Sequence, residues 1–313
     1  MNNETQVEKV LNEWVKGTWS IDKKGFVNVK GSVKTTDFGQ YQDQIKFGVV
    51  TGIFDCSDEG LTSLKGCPKY VGGSFNCYNN ELTTLEGCPK KVDGDFDCSD
   101  NYLTSLVGCP VKINGNFYCY HNQLTSLKGC PKLVYENFNC SDNKLTSLKY
   151  CPKKVFGDFN CSDNSLTTLE GSPKTVGGDF YCSYNNFKKD ALEIWLEKEK
   201  LEIKDGSVIL YKRVSYAFKT QEGTKNETLW SIGSTLEHPT WKPDGKECGE
   251  GKYHACSRAK FCDGFRNKSG DRYIKIEVRI EDMYAWENPS YPSKIAFRKG
   301  IVLGECNQDG ILI

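Results

Sequence analysis

The sequence predicts an α/β solenoid with short strands and irregular returns, followed by a small α+β domain. A motif that recurs every 21 residues, with apolar residues at fixed positions, predicts the solenoid. The loss of that period near residue 187 predicts the second domain, and 313 residues are enough for two cores. We therefore divide the chain into an N-terminal cap (1–49), seven repeats (50–187), a C-terminal cap helix and linker (188–204) and an α+β domain (205–313).

Each repeat follows the pattern F-x-C-x-x-N-x-L-x-x-L-x-x-C-P-x-x-V. The F-x-C part has period 2 and predicts a short strand with both side chains inside. The asparagine amide can bond the backbone where the chain leaves the strand, and Leu, Cys and Val then line the return. One coil cannot bury its own apolar side, so the coils must stack. The repeats begin at Phe54, Phe75, Phe96, Phe117, Phe138, Phe159 and Phe180.

These residues resemble the leucine-rich repeat, in the short form found in bacterial and phage proteins. The stretch N-x-L-T-S-L-x-G-C-P carries the resemblance, which covers about residues 50–187. Phe and Cys stand where most leucine-rich repeats have leucine in the strand. The resemblance implies strands side by side on one surface, in a phage- or prophage-type protein that acts inside a bacterial cell.

Both open ends of such a stack need a cover. Residues 5–16 form a predicted amphipathic helix, and residues 19–33 alternate around a turn at 22–25 like a β-hairpin. At the other end, residues 189–198 predict a helix with Leu192, Trp195 and Leu196 on one face. We interpret these segments as the two caps.

The spacing of the sixteen cysteines indicates the cellular compartment in which the protein works. Twelve recur at two places in the repeat, as small apolar core residues would, which favours reduced, buried thiols in the cytoplasm of a bacterium or infected host cell. A metal-binding ladder is the alternative, but the repeats contain no CxxC spacing, and we expect no metal. The sequence has no run of about 18 apolar residues and no apolar secretory core near its start, so we expect no membrane association.

The residues that flank each inward Phe and Cys are expected to face solvent. They are polar, partly acidic and include several tyrosines, whereas lysines gather near the Cys-Pro corner. Exposed aromatics are common anchors at protein interfaces, and carboxylates repel phosphate, so we predict a protein partner, a host bacterial factor, and no nucleic acid. The alternative is a passive, solubilising surface. The candidate partner-binding residues are Asp97, Tyr78, Tyr118, Tyr120, His121 and Tyr181.

Beyond residue 205 the composition predicts strands at 208–214, 273–280 and 294–303, and a short helix at 257–265. Cys248, His254, Cys256 and Cys262 raise the possibility of zinc, but C-x5-H-x-C-x5-C is not a familiar zinc-finger spacing. A catalytic Cys/His pair would need an orienting carboxylate, and none is close in sequence. Packing of reduced thiols is the favoured interpretation.

The order L-Y-K-R-V, G-K-Y-H-A-C-S and Y-I-K-I-E-V resembles a domain of unknown function in phage proteins, and is more distantly similar to ADP-ribosyltransferases. That similarity implies that Tyr253 stacks on nicotinamide. Lys212 or Arg213 would hold the NAD ribose, and Glu305 or Glu277 would supply the final carboxylate. The first strand lacks the family's histidine, and the chain has no E-x-E or Q-x-E signature at the third position.

We therefore favour a binding protein without a cofactor. The alternative is an ADP-ribosyltransferase-like effector enzyme that uses NAD and that the repeats direct to its target. Its catalytic residues would be Tyr253, Glu305 and Arg213.

Overall fold

The computed structural model describes residues 5–313 and forms two compact units, which meet in sequence at Lys188 and Lys189. No helix of the described residues is long and apolar enough to cross a membrane.

The first unit opens with the helix and hairpin that the sequence predicts. Helix α1 (Gln6–Trp14) has Thr5 as its N-cap, in a capping box with Glu8. Strands β1 (Val15–Ile21) and β2 (Val27–Lys34) form the antiparallel hairpin. A short helix, α2 (Phe38–Tyr41), and strand β3 (Phe47–Val50) lead into the repeats. Because β2 pairs in parallel with both β3 and the first repeat strand, the hairpin continues the sheet of the repeats.

The repeats form a parallel β-solenoid of about seven turns. Every F-x-C segment is a two-residue strand, and each Phe lies in register with the Phe 21 residues further on. These strands are β4 (Phe54–Asp55), β6 (Phe75–Asn76), β8 (Phe96–Asp97), β9 (Phe117–Tyr118), β11 (Phe138–Asn139), β13 (Phe159–Asn160) and β15 (Phe180–Tyr181).

The return segments contain a second set of parallel strands, where the sequence predicts only an irregular arc. Each ends on the inward valine of the motif, and Ile113 fills the same place as an isolated bridge between Val92 and Val134. The α/β expectation for the repeats is thus too rich in helix. The second set comprises β5 (Tyr70–Val71), β7 (Lys91–Val92), β10 (Leu133–Val134), β12 (Lys154–Val155) and β14 (Thr175–Val176).

Two rows of side chains stacked from coil to coil, the phenylalanine ladder and the asparagine ladder, hold the solenoid together. The seven phenylalanines are buried, and neighbouring rings lie 4.9 to 5.7 Å apart between centroids. Burial stabilises each by about 1.5–3 kcal/mol. The asparagine ladder bonds the backbone, as the motif predicts: Nδ2 of Asn122 donates to Cys98 O at 3.0 Å and Tyr120 O at 3.1 Å, and its Oδ1 accepts from Leu103 N at 2.9 Å.

The second unit is mostly an antiparallel sheet of seven strands, with a further sheet of two strands. A 3-10 helix (Ala259–Gly264) replaces the predicted helix at 257–265, and another spans Ile280–Asp282. The strands are β16 (Ser207–Val214), β17 (Lys219–Thr220), β18 (Thr228–Leu229), β19 (Thr235–Glu237), β20 (Tyr253–Cys256), β21 (Arg272–Arg279), β22 (Met283–Tyr284), β23 (Lys294–Phe297) and β24 (Lys299–Cys306). The seven-stranded sheet has the order β19-β24-β21-β16-β20-β23-β22, and β17 pairs with β18.

Strands β16 and β21 lie where the sequence predicts them. The segment expected to be a single strand at 294–303 is two, because the chain leaves the sheet at Arg298: β23 pairs with β20 and β22, whereas β24 pairs with β21 and β19. Helix α3 (Ala191–Glu199), expected as a solenoid cap, belongs to the second unit. Its Trp195 lies in that unit's core and donates from Nε1 to Pro292 O at 3.1 Å.

Candidate functional site

A cluster of three rings lies on the fourth coil, on the outer side of the Phe–Cys strands. Tyr118 stands between Asp97 and Asn139 of the neighbouring coils, in register with both. Its ring centroid lies 6.3 Å from that of Tyr120, and Tyr120 lies 5.4 Å from His121. Both tyrosines are half-buried and His121 is exposed. We call these three residues the aromatic cluster.

His121 lies between two carboxylates. Its Nδ1 is 3.0 Å from Asp100 Oδ1, and its Nε2 is 3.6 Å from Asp142 Oδ2. The backbone at His121 is left-handed, with φ of 48°, a conformation that Asp and Asn tolerate better than most residues. The same turn recurs in every coil, so the side chains at this position form one row. The row consists of Asp58, Asn79, Asp100, His121, Asp142, Asp163 and Tyr184.

The serines that follow the strand cysteines are mostly buried, although the sequence pattern predicts that they face solvent. Ser99 is fully buried, and its hydroxyl donates to Asp97 Oδ1 at 2.5 Å. Burial raises the pKa of Asp97 above its ordinary value. Asp97 is therefore engaged within its own coil and is a poorer partner contact than the sequence predicts.

The other candidate tyrosines lie on distant coils. Tyr78 is two coils from Tyr120, which corresponds to about 10 Å at the usual strand spacing of about 4.8 Å. Tyr181 is three coils from Tyr118, and burial raises its pKa to about 12. Both are half-buried. The structure thus brings together Tyr118, Tyr120 and His121 and leaves Tyr78 and Tyr181 apart.

Charge is segregated by side of the solenoid, as the sequence predicts. Carboxylates flank the aromatic cluster, whereas one row of the return segments is basic, with its lysines stacked coil on coil through backbone bonds such as Lys90 N to Lys69 O at 3.0 Å. Val111 interrupts the row. Its lysines are Lys69, Lys90, Lys132, Lys153 and Lys174.

The second unit contains a cleft of about 810 Å³. Tyr253, Lys212 and Arg213 line this cleft, so three of the residues that the transferase similarity singles out share one cavity. Glu305 is not among the lining residues, and its Oε2 accepts from Arg272 at 2.6 Å. Glu277 lines a separate cavity of about 720 Å³.

Arg213 already has acidic partners. Its guanidinium lies 2.5 Å from Asp263 and 3.9 Å from Asp271. Tyr253 packs edge-on against Trp230, with ring centroids 4.9 Å apart, and burial raises its pKa. The carboxylates of the cleft are Glu227 and Glu250, and neither Glu305 nor Glu277, to which the transferase similarity assigns the ribose contact, lies there.

The cysteines and histidine of the suspected zinc motif all line the cleft but do not converge on one point. Cys262 donates to Tyr211 O at 3.2 Å, while Cys248 contacts the Lys294 ammonium at 2.9 Å. Within residues 5–313 no group of three or more His, Cys, Asp or Glu side chains is arranged to hold a metal ion.

Sequence reasoning missed Trp230, Lys252 and Lys294, which also line the cleft. They come from separate segments, so no local motif marks them. Comparison of the chain with protein-family models, curated proteins and solved structures gave no match.

Proposed function

We propose that the solenoid is a recognition module of the leucine-rich-repeat type, which binds a protein partner through the aromatic cluster. The observation that carries this proposal is the contact of Tyr118, Tyr120 and His121 on a single central coil. Rigid, half-exposed aromatic rings supply large contact area at little entropic cost, and they dominate binding energy at many interfaces.

The surroundings of the cluster indicate the charge of the partner. Asp100 and Asp142 lie on either side of His121, and Asp95 and Asp158 lie on the same side of the solenoid. Such a surface favours a partner that presents Lys or Arg beside an apolar contact, since opposite charges steer association. Phosphate-rich partners would be repelled here.

The bacterial and phage resemblance of the repeat sequence supports the choice of partner. We therefore propose a host bacterial protein as the partner and the bacterial cytoplasm as the setting. We do not propose a transferase activity, because Glu305 pairs with Arg272 outside the cleft that holds Tyr253.

Affinity capture with matched variants tests the proposal. The full chain, immobilised and incubated with bacterial lysate, should retain a protein that the double variant Tyr118→Ala/Tyr120→Ala loses by at least about tenfold. A control double variant, Tyr135→Ala/Phe156→Ala, removes two exposed rings that stack 5.4 Å apart beside the return strands. Equal capture by the wild type and the Tyr118/Tyr120 variant, with unchanged melting temperatures, would overturn the proposal.

A further inference from the structure

Three lysines line the cleft of the second unit although lysine is rarely buried. Lys252 and Lys294 are 5% and 4% exposed, and Lys212 is half-buried. Lys212 comes from β16, Lys294 begins β23, and Lys252 immediately precedes β20, so the sheet brings the three together.

None of the three ammonium groups forms an ion pair with a carboxylate of the described residues. Lys212 Nζ donates to His254 O at 2.6 Å, and Lys252 Nζ to Lys242 O at 3.2 Å. Lys294 Nζ lies 2.9 Å from Cys248 Sγ. By contrast, Lys198, which is equally buried in this unit, lies 3.2 Å from the carboxylate of Glu199.

The positive charges of the three lysines all act on His254. Burial and the charges of Lys294, Lys212 and Lys252 lower the pKa of His254 to about 3. The buried Nε2 of His254 has no hydrogen-bond partner among the described residues. The other ring nitrogen of His254 already donates to the backbone of Glu247, so Nε2 of the neutral imidazole carries no proton and can accept one more hydrogen bond. Uncompensated buried charge destabilises the folded protein, and an anion in the cleft would offset that cost.

Aromatic rings form part of the lining. Lys212 Nζ lies 4.9 Å from the ring centroid of Trp230, and Lys294 Nζ lies 4.9 Å from that of Phe265. Phe265 is 44% exposed, so its ring is open to a ligand. Lys225 and Lys268 also line the cleft and add positive charge that attracts anions, whereas Arg266 is paired with Asp271 at 2.9 Å. The lining also includes two carboxylates, Glu227, which pairs with Lys219 at 2.7 Å, and Glu250.

We propose that this cleft binds a small phosphorylated ligand, with its phosphoryl oxygens at the ammonium groups of Lys212, Lys252 and Lys294. Lysine ammonium groups bind phosphate as compact point charges. The aromatic lining receives the organic part of the ligand, and about 810 Å³ is within the range of pockets that hold small molecules. The proposal does not depend on the solenoid's partner.

Isothermal titration of the full chain with sodium pyrophosphate and with ATP, at low ionic strength, tests this proposal. We expect saturable binding that Lys294→Met and Lys252→Met each weaken at least tenfold. Tighter binding of ATP would show that the organic part contributes, and equal binding would assign the affinity to the phosphoryl groups. The control Lys299→Met alters an exposed lysine on β24 that pairs with Glu237, and it should leave binding unchanged.

Thermal unfolding separates loss of the site from loss of the fold. Without ligand, Lys294→Met should melt at the same temperature as the wild type or higher, because it removes an uncompensated buried charge. With pyrophosphate, the wild type should gain several degrees and the variant should gain none. Absence of binding by the folded wild type at millimolar pyrophosphate and ATP would overturn the proposal, as would full binding by Lys294→Met.

Discussion

At the scale of residues, the asparagine of each repeat joins two coils through its side chain. The amide nitrogen of Asn101, for example, donates to Cys77 of the preceding coil at 3.0 Å, and its oxygen accepts from Leu82 N at 2.9 Å. A buried amide thus satisfies backbone groups that the turn would otherwise leave unpaired. The sequence predicts this role because only the side chain of Asn offers both a donor and an acceptor at that length.

Replacing Asn122 by leucine should lower the free energy of unfolding by roughly 1–3 kcal/mol, because buried backbone groups lose their partner. Urea denaturation followed by circular dichroism measures this loss. Gln123→Leu is the control, since that amide accepts one long bond, 3.4 Å, from the exposed Lys144. An unchanged midpoint for Asn122→Leu would contradict the structural role of the ladder.

Glu59 occupies the asparagine position in the first repeat and gives the fold a pH dependence. Its carboxylate accepts from Phe38 N at 2.6 Å and from the Thr35 hydroxyl. Burial raises the pKa of Glu59 above its ordinary value of 4.5. A carboxyl whose pKa is higher in the folded state than in the unfolded state stabilises the fold fully at low pH. That contribution to the free energy of unfolding is lost as the pH rises from 4.5 through the raised value.

Glu59→Gln should therefore be more stable than the wild type at neutral pH, and the difference should vanish below pH 4.5. Glutamine keeps an acceptor for Phe38 N and offers Thr35 a donor. Denaturation curves of both proteins at several pH values measure the difference. A constant difference across the range would show that Glu59 does not titrate as described.

At the scale of elements, the positions of the Phe–Cys strands follow from the sequence, but the return strands do not. A two-residue strand such as Lys154–Val155 carries one inward residue, so it shows no alternation. The surface formed by the Phe–Cys strands is also less exposed to solvent than the sequence predicts. Because β8 ends at Asp97, alternation stops there and Ser99 turns inward to bond the Asp97 carboxylate.

Close stacking of the coils depends on glycine where backbones approach. At Gly129 φ is +98°, and a Cβ would lie 2.2 Å from Leu106 O of the preceding coil. At Gly60 φ is +63°, but a Cβ would meet nothing within 4 Å. Alanine would be strained at both positions, but only at Gly129 would its Cβ also obstruct the stacking of the coils.

Gly60→Ala should therefore cost about 1–2 kcal/mol, the usual penalty of a left-handed residue, and Gly129→Ala should cost clearly more. Thermal unfolding of the two variants beside the wild type measures both costs. Equal losses would mean that the coils can separate at residue 129 without penalty.

At the scale of the whole molecule, none of the sixteen cysteines, all of which lie within residues 5–313, is in a disulfide, and Cys248 is the exposed one. The strand cysteines are more than apolar filling: Cys56, for example, donates from Sγ to Asn76 O of the next coil at 3.4 Å. At the Cys-Pro corner, burial raises the pKa of Cys67, Cys88, Cys109 and Cys130, which keeps these thiols protonated and unreactive.

Titration with a thiol reagent should count sixteen thiols in denaturant without reductant and one fast-reacting thiol in the folded protein. Cys248→Ser should remove the fast phase. Fewer than sixteen thiols in denaturant would demonstrate disulfides and contradict the packing of the repeat cysteines.

The sequence predicts more of the solenoid than of the second unit, for a physical reason. The solenoid repeats its contacts along the sequence, so one motif specifies many of them. The second unit is built from contacts between distant segments, such as Lys212 with His254, and its cleft has no sequence signature. For that reason the sequence indicated Tyr118, Tyr120 and His121 together but missed Lys252 and Lys294.

Site-specific photocrosslinking can show whether the aromatic cluster contacts a protein partner. A photoreactive phenylalanine at position 120 should form an adduct with the protein captured from lysate, and the same residue at position 156, beside the return strands, should not. Excess untagged wild type should abolish the adduct. An adduct from position 156 and none from position 120 would contradict the claim and assign the interface to the other side of the solenoid.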